Sequence, residues 1–327
     1  MKTHINLLLL IFFVSINNMS FSQEMAEEYN PLKNDSLRIG KDPNDLLPYI
    51  QSGYTLMLPE NQKVKGVLIF LEDSGYDKKN NSAKQMYNQA SEEGFAVLSV
   101  SSEIPFDFYF SESSMSSTHH IIEDVFLKYK LPNTNVFFLG ASLVGHRAMR
   151  YIKFMKERNF EFQLNITGIV ICNFTLDFTR KWHQHRRDIR INRINLWEPK
   201  FINYMLETHL KGTPETVPEN YHDFSSYSYF SEKNNNIKLY KDYAVRAYIE
   251  PSIKYKLKKQ FRTFYENNAT DMVSFLAELE LAGNKNTELI VLYPGDNPSP
   301  KKNTQSTWDA LDKTELMKWI LKESEKQ

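Results

Sequence analysis

The chain has 327 residues, 41% of them hydrophobic, and 40 Lys and Arg balance 40 Asp and Glu. That length holds one large domain or two small ones with ample material for a core. A formal net charge of zero supplies no global field for a membrane surface or a nucleic acid, and nucleic acid is set aside as a partner.

Residues 1–22 read as a secretory leader: Lys2, an apolar run over residues 5–14, then Ser20-Phe21-Ser22. Small residues at the third-last and last positions suit cleavage before Gln23. The apolar run is too short to span a bilayer as a retained helix. The expectation is a secreted or periplasmic bacterial protein, with its signal cleaved near Ser22 and no integral membrane segment afterwards. Cys172 is the only cysteine, so export brings no intrachain disulfide. Residues 23–44 are polar and are expected as a disordered lead-in, with the main domain over residues 45–327.

Residues 54–58 and 64–71 are strand signals separated by Pro59, Glu60, Asn61 and Gln62, expected as a hairpin or as adjacent strands. A helix is expected over 84–92, a strand over 95–100 after Gly94, and a helix over 118–130. The last would bury Ile121, Ile122, Val125, Phe126 and Tyr129. Residues 136–139 form a short apolar strand that meets Gly140, Ser142 and Gly145. Beyond His146 the spacing of Ala148, Tyr151, Ile152 and Met155 is helical. Further strands are expected over 166–172, 245–249 and 288–292, the last two followed by helices over 271–281 and 314–323. Alternating strands and helices, with near-continuous apolar strands, predict an α/β fold: a mostly parallel sheet with helices on both faces.

A strand that turns into a helix through Gly140-x-Ser142-x-x-Gly145 places a serine on a tight corner at the sheet's C-terminal edge. There the helix N-terminus offers free N–H groups to an oxyanion. This stretch resembles the nucleophile elbow of the α/β-hydrolase fold family, in its secreted bacterial esterase-like branch. The family pattern is Gly-x-Ser-x-Gly; here Val144 takes the second glycine's place and the glycine follows one residue later. The resemblance implies Ser142 as nucleophile and Glu250, in Tyr248-Ile249-Glu250-Pro251, as the acid. It implies a cap inserted at about 173–241. It also implies an oxyanion hole from Leu143 N–H and a second donor, Asp73 or Ser74, of which Ser74 is carried forward.

The residues depart from the family at two places. Relatives place histidine before the final helix, where this chain has Ser306-Thr307-Trp308, and no histidine follows His222. The loop after 67–71 reads Glu72-Asp73-Ser74-Gly75, two carboxylates where a negative charge is to be stabilised. His119 and His120 are the candidates for a relocated base. His146 is expected to point into packing, and His183 and His185, two apart on a helix, share no face for a metal. The basic run Arg180, Lys181, Arg186, Arg187, Arg190 and Arg193 is a solvated helix face, or an attractor for an anion if it overhangs the cleft. No cofactor and no metal set is indicated. Two readings stay open: a non-catalytic or impaired member that binds a small molecule, and a serine esterase using Ser142, Glu250 and a relocated histidine.

Overall fold

Buried strands at the centre set the architecture. The structure, a computed structural model, describes residues 25–31, 51–60, 62–72, 82–102, 108–232, 235–293 and 307–326. The expected leader, Asp73, Ser74 and Ser306 lie outside the described residues.

In chain order the elements are β1 (Met25–Pro31), β2 (Gln51–Met57), β3 (Gly66–Phe70), α1 (Ser82–Glu92), β4 (Phe95–Ser101), α2 (Glu112–Lys128), β5 (Val136–Ala141), α3 (Leu143–Glu157) and β6 (Ile166–Cys172). The insertion carries α4 (Phe178–Ile191), α5 (Trp197–Leu210) and α6 (Pro218–Phe224). Then come β7 (Ala244–Ile249), α7 (Ile253–Tyr255), α8 (Asn268–Leu281), β8 (Thr287–Val291), α9 (Thr307–Ala310) and α10 (Lys313–Ser324). Among the described residues the strands form one sheet in the order β1-β2-β4-β3-β5-β6-β7-β8. β1 and β2 are antiparallel to their neighbours, and every pairing from β4 to β8 is parallel.

All of β3, β4, β6 and β7 is buried, as a sheet covered on both faces requires. Alternate residues serve opposite layers. Ile69, Leu98 and Phe138 pack with Ile122 of α2, Ile152 of α3 and Phe275 of α8. Their neighbours Leu68, Val97 and Phe137 pack with Met86 of α1 and Ile320 of α10. Cys172, the last residue of β6, is fully buried, and burial pushes its thiol pKa far up.

The strands expected over 54–58 and 64–71 are present but are not paired. β4 lies between them, antiparallel to β2 and parallel to β3, so the hairpin expectation is corrected. The lead-in is corrected too: Met25–Pro31 is the sheet's edge strand, paired to β2 through its backbone. One flank of an edge strand meets solvent, so it needs no apolar pattern to form. Tyr29 Oη lies 2.6 Å from Thr55 Oγ1, and Lys128 Nζ donates to Glu28 at 2.9 Å. α2 begins earlier than its apolar spacing suggests because Ser111 caps it, accepting from Ser114 N at 3.3 Å.

The insertion after β6 is bolted to the body by one buried cluster. Asp177 caps α4, accepting from Arg180 N at 3.1 Å, and its other oxygen accepts from Tyr229 N at 3.0 Å. Asp271 of α8 accepts from Arg180 Nη2 at 2.7 Å and from the Leu176 and Asp177 amides, each at 3.2 Å. The Arg180 and Asp271 side chains are each 3% exposed. A buried charge stripped of its partner is expensive. Asp271→Ala should therefore lower unfolding free energy by about 3–5 kcal/mol. The pairing of Arg180→Met with Asp271→Leu should restore much of that, both read by urea denaturation. An Asp271→Ala loss no larger than that of an exposed residue would contradict this account.

Candidate active-site corner and its cap

The corner between β5 and α3 is formed as the glycine spacing predicts. A Cβ on Gly140 would stand 2.4 Å from Gly145 N, inside the backbone of the returning helix. On Gly145 it would instead meet the Phe174 ring at 2.5 Å. Val144 is accommodated: its side chain, half-buried, packs on the layer that holds α1 and α10. Ser142 takes φ 52° and ψ −127°, a conformation costly for a residue with a Cβ, on the order of 1–3 kcal/mol. Ser142 N donates to Cys172 O at 3.3 Å, and its carbonyl accepts from His146 N at 3.3 Å. The side chain is exposed, and no hydrogen bond from the described residues reaches its hydroxyl. Leu143 opens α3, so its N–H is one of the unpaired first-turn donors an oxyanion would use.

Glu250 directly follows β7. With β6 between β5 and β7, two strand spacings put the two corners about 10 Å apart, a gap that an imidazole would bridge. No described histidine stands in that gap. Glu250 accepts from the Ser252 hydroxyl. Burial raises its pKa, and Lys256 beside it pulls the other way. Glu72 is buried, and its Oε1 accepts from Ser82 N at 2.8 Å and so caps α1.

The candidate bases sit elsewhere. His119 is buried against Phe160 with Nδ1 2.9 Å from Tyr151 Oη, about 13 Å along α3 from Ser142 at the helical rise. His120 is exposed and lines a groove between β2 and α2, with Tyr54, Asp124 and Lys128. The expectation that either replaces the missing base is therefore corrected; α2 packs along the body of α3, not at its first turn. His146 is fully enclosed by Phe108, Phe178 and Phe224, its Nε2 donating to Phe108 O at 3.1 Å. His185 is buried with Nδ1 3.0 Å from Asn203 Oδ1, while His183 faces Glu215 at 3.8 Å. Among the described residues no group of side chains could hold a metal.

The cap reaches the corner. Phe178, Trp182, Leu206, Tyr221 and Phe224 of the insertion form a cluster that packs on Phe108 and on Leu143, the residue after the serine. Half of its basic run is engaged. Arg180 belongs to Asp271, Lys181 is buried near Glu198, and Arg187 pairs with Glu266 at 3.4 Å and donates to Phe261 O at 2.8 Å. Arg186, Arg190 and Arg193 remain exposed. The expected uniform solvated face is thus corrected, since half of it is structural. The Asp177–Arg180–Asp271 cluster was missed by sequence reasoning. Asp177 before a helical run was a legible cap, but its distant partner was not.

Neither a family profile nor a curated protein sequence matches the chain. Solved structures do. Acylaminoacyl peptidase from Pyrococcus horikoshii superposes with a TM-score of 0.55 at 10% identity, over 92% of this chain and 42% of that one. Carboxyl esterase 2 from the fungus Tuber melanosporum gives 0.52 at 11% identity, over 95% and 88% of the two chains. The fluorophosphonate-binding serine hydrolase F of Staphylococcus aureus gives 0.51 at 12% identity, over 92% and 98%.

The chain has the α/β-hydrolase fold. At these identities the likeness is one of fold, and this chain spans less than half of the peptidase. In chain order Ser142 follows β5, the insertion follows β6 and Glu250 follows β7.

Three enclosed imidazoles make this body sensitive to acid. Burial holds His119 down to about 4 and His185 to about 2, and His146 lies well below the ordinary value of 6.5. Below pH 6.5 the unfolded chain binds protons that the folded one refuses, so stability falls as pH drops. At pH 5 each histidine should cost about 2 kcal/mol relative to pH 7.5. Urea midpoints at the two pH values should show the loss, and His185→Gln should shrink it by about a third. An unchanged difference in His185→Gln would contradict the assignment.

Proposed function

We propose that this is an exported α/β-hydrolase-fold protein that keeps a capped cleft for a small-molecule ligand and has lost efficient ester hydrolysis. The observation that carries this reading is an exposed, strained Ser142 with no imidazole among its described neighbours. A serine hydroxyl needs a base within hydrogen-bond reach to attack a carbonyl, and the base needs an orienting carboxylate. Glu250, directly after β7, is the candidate orienting carboxylate, but the residues after β8 contain no histidine at all. Supporting it further, Glu250 is engaged by Ser252 rather than held open.

The observation favouring the second reading, an active serine hydrolase, is the elbow itself. The left-handed backbone at Ser142 costs free energy and still presents the hydroxyl to solvent. Turnover of a p-nitrophenyl ester decides between the two. Wild type and Ser142→Ala should differ by no more than a few-fold, since losing one triad member removes most of the triad's acceleration, on the order of 10⁴-fold or more. Ser306→His should raise turnover slightly. Robust wild-type turnover that disappears in Ser142→Ala would establish the hydrolase reading instead.

Export is proposed from Lys2, the apolar run and Ser20-Phe21-Ser22. Protein recovered from the periplasm or medium should begin at Gln23 on N-terminal sequencing. Recovery from the cytoplasm with Met1 intact would end that proposal.

A further inference from the structure

The stretch directly after Glu250 and Pro251 has an unusual composition. Residues 252–265 read Ser-Ile-Lys-Tyr-Lys-Leu-Lys-Lys-Gln-Phe-Arg-Thr-Phe-Tyr, with no acidic residue from 251 to 265. α7 passes here into a single wide turn, Lys256–Gln260, and the stretch is bent at both ends by left-handed residues, Ser252 at φ 38° and Phe261 at φ 55°.

Its inner side is tied down. Lys256 Nζ donates to Asn267 Oδ1 at 2.7 Å, and Asn267 Nδ2 donates to Pro251 O at 2.6 Å. Arg262 Nη2 pairs with buried Asp188 of α4 at 2.5 Å, and Arg187 holds the Phe261 carbonyl. Its outer side is apolar and cationic together. Ile253 is 56% exposed, Leu257 58%, Phe261 46% and Phe264 47%. Lys254, Lys258 and Lys259 are exposed between them, with no ion pair or hydrogen bond from the described residues. Tyr229 and Phe230 are also exposed. Tyr229 N is held by Asp177, and Arg180, beside Asp177, donates to Tyr265 O at 3.3 Å.

Single exposed apolar residues are ordinary, but a contiguous set on an anchored segment marks a contact surface. Two requirements define the occupant: it must take up aromatic and aliphatic tips, and it must neutralise three lysines. A second copy of the chain across a two-fold axis would set this patch, lysines included, against itself. An anionic bilayer meets both requirements, with headgroups for the ammonium groups and interfacial depth for Leu257, Phe261 and Phe264. We propose that residues 252–265 are a docking face for an anionic lipid bilayer surface. The zero net charge of the whole chain does not oppose this, because the attraction is local and falls off within a Debye length. The face follows β7 and so lies on the C-terminal edge of the sheet that also carries Ser142. The proposal stands whether or not Ser142 is catalytic.

The test is co-sedimentation of the full chain with vesicles of phosphatidylcholine alone and of phosphatidylcholine mixed with phosphatidylglycerol. Wild type should bind the mixed vesicles, weakly bind the neutral ones, and release as salt is raised. The triple variant Lys254→Gln/Lys258→Gln/Lys259→Gln should lose on the order of 100-fold in partitioning. Leu257→Ser/Phe264→Ser should also weaken it, with unchanged circular dichroism melts confirming that both variants fold. All the chains share one N-terminus, so anything bound through residues 5–14 adds equally to each, and the partitioning of a chain carrying all five substitutions is subtracted before the ratios are taken. Equal partitioning of wild type and the triple variant would overturn the proposal, as would no binding to either vesicle. A wild-type dimer in light scattering that Leu257→Ser/Phe264→Ser dissolves would replace the bilayer with a second copy of the chain.

Discussion

At one corner of the sheet the central strand β5 passes straight into α3 through a single residue whose backbone bends the wrong way for an L-amino acid. Here that residue is Ser142, and the bend closes only because Gly140 lets the helix backbone come into contact with the strand. Much else follows from this closure. α3 is aimed down the face of the sheet, where Ile152 and Tyr151 fill the larger core layer. Its first turn faces outward, where Leu143 and His146 become the floor on which the cap rests. The serine hydroxyl stands free at the seam between the two.

The cap is held by charge rather than by apolar area alone. Arg180 links α4 to α8 through Asp271, and Arg262 links the segment after β7 to α4 through Asp188. Buried pairs of this kind add little net stability compared with apolar residues of the same shape, but they allow few alternative arrangements. The cap therefore has one seat on the sheet edge. About half of the basic run is taken up in this role, and Arg186, Arg190 and Arg193 stay exposed.

Local patterns carried the fold well. The apolar runs of β4, β5, β6 and β7 were legible because strands buried on both faces need uninterrupted hydrophobicity, and the elbow was legible because close backbone approach demands glycine at Gly140. Pairing order was not legible. Pro59 and its neighbours look like a hairpin turn, but β4 returns from beyond α1 to separate β2 from β3, and no local residue records that. β1 was invisible because an edge strand held by its backbone needs no pattern. At the site, Ser142 and Glu250 could be read from their positions after strands. That His119 faces Tyr151 and that Glu72 caps α1 are outcomes of three-dimensional packing, which spacing alone does not encode.

The lone thiol has a use of its own. Cys172 lies sealed at the end of β6, and its carbonyl receives the Ser142 amide, so it sits directly beneath the corner. Its depressed acidity and its burial make it inert toward thiol reagents while the sheet is closed. Only an opening that parts β6 from the elbow exposes it. With no second cysteine to compete, the rate of its alkylation under native conditions is a clock, built into the chain, for how often the centre of the sheet comes apart.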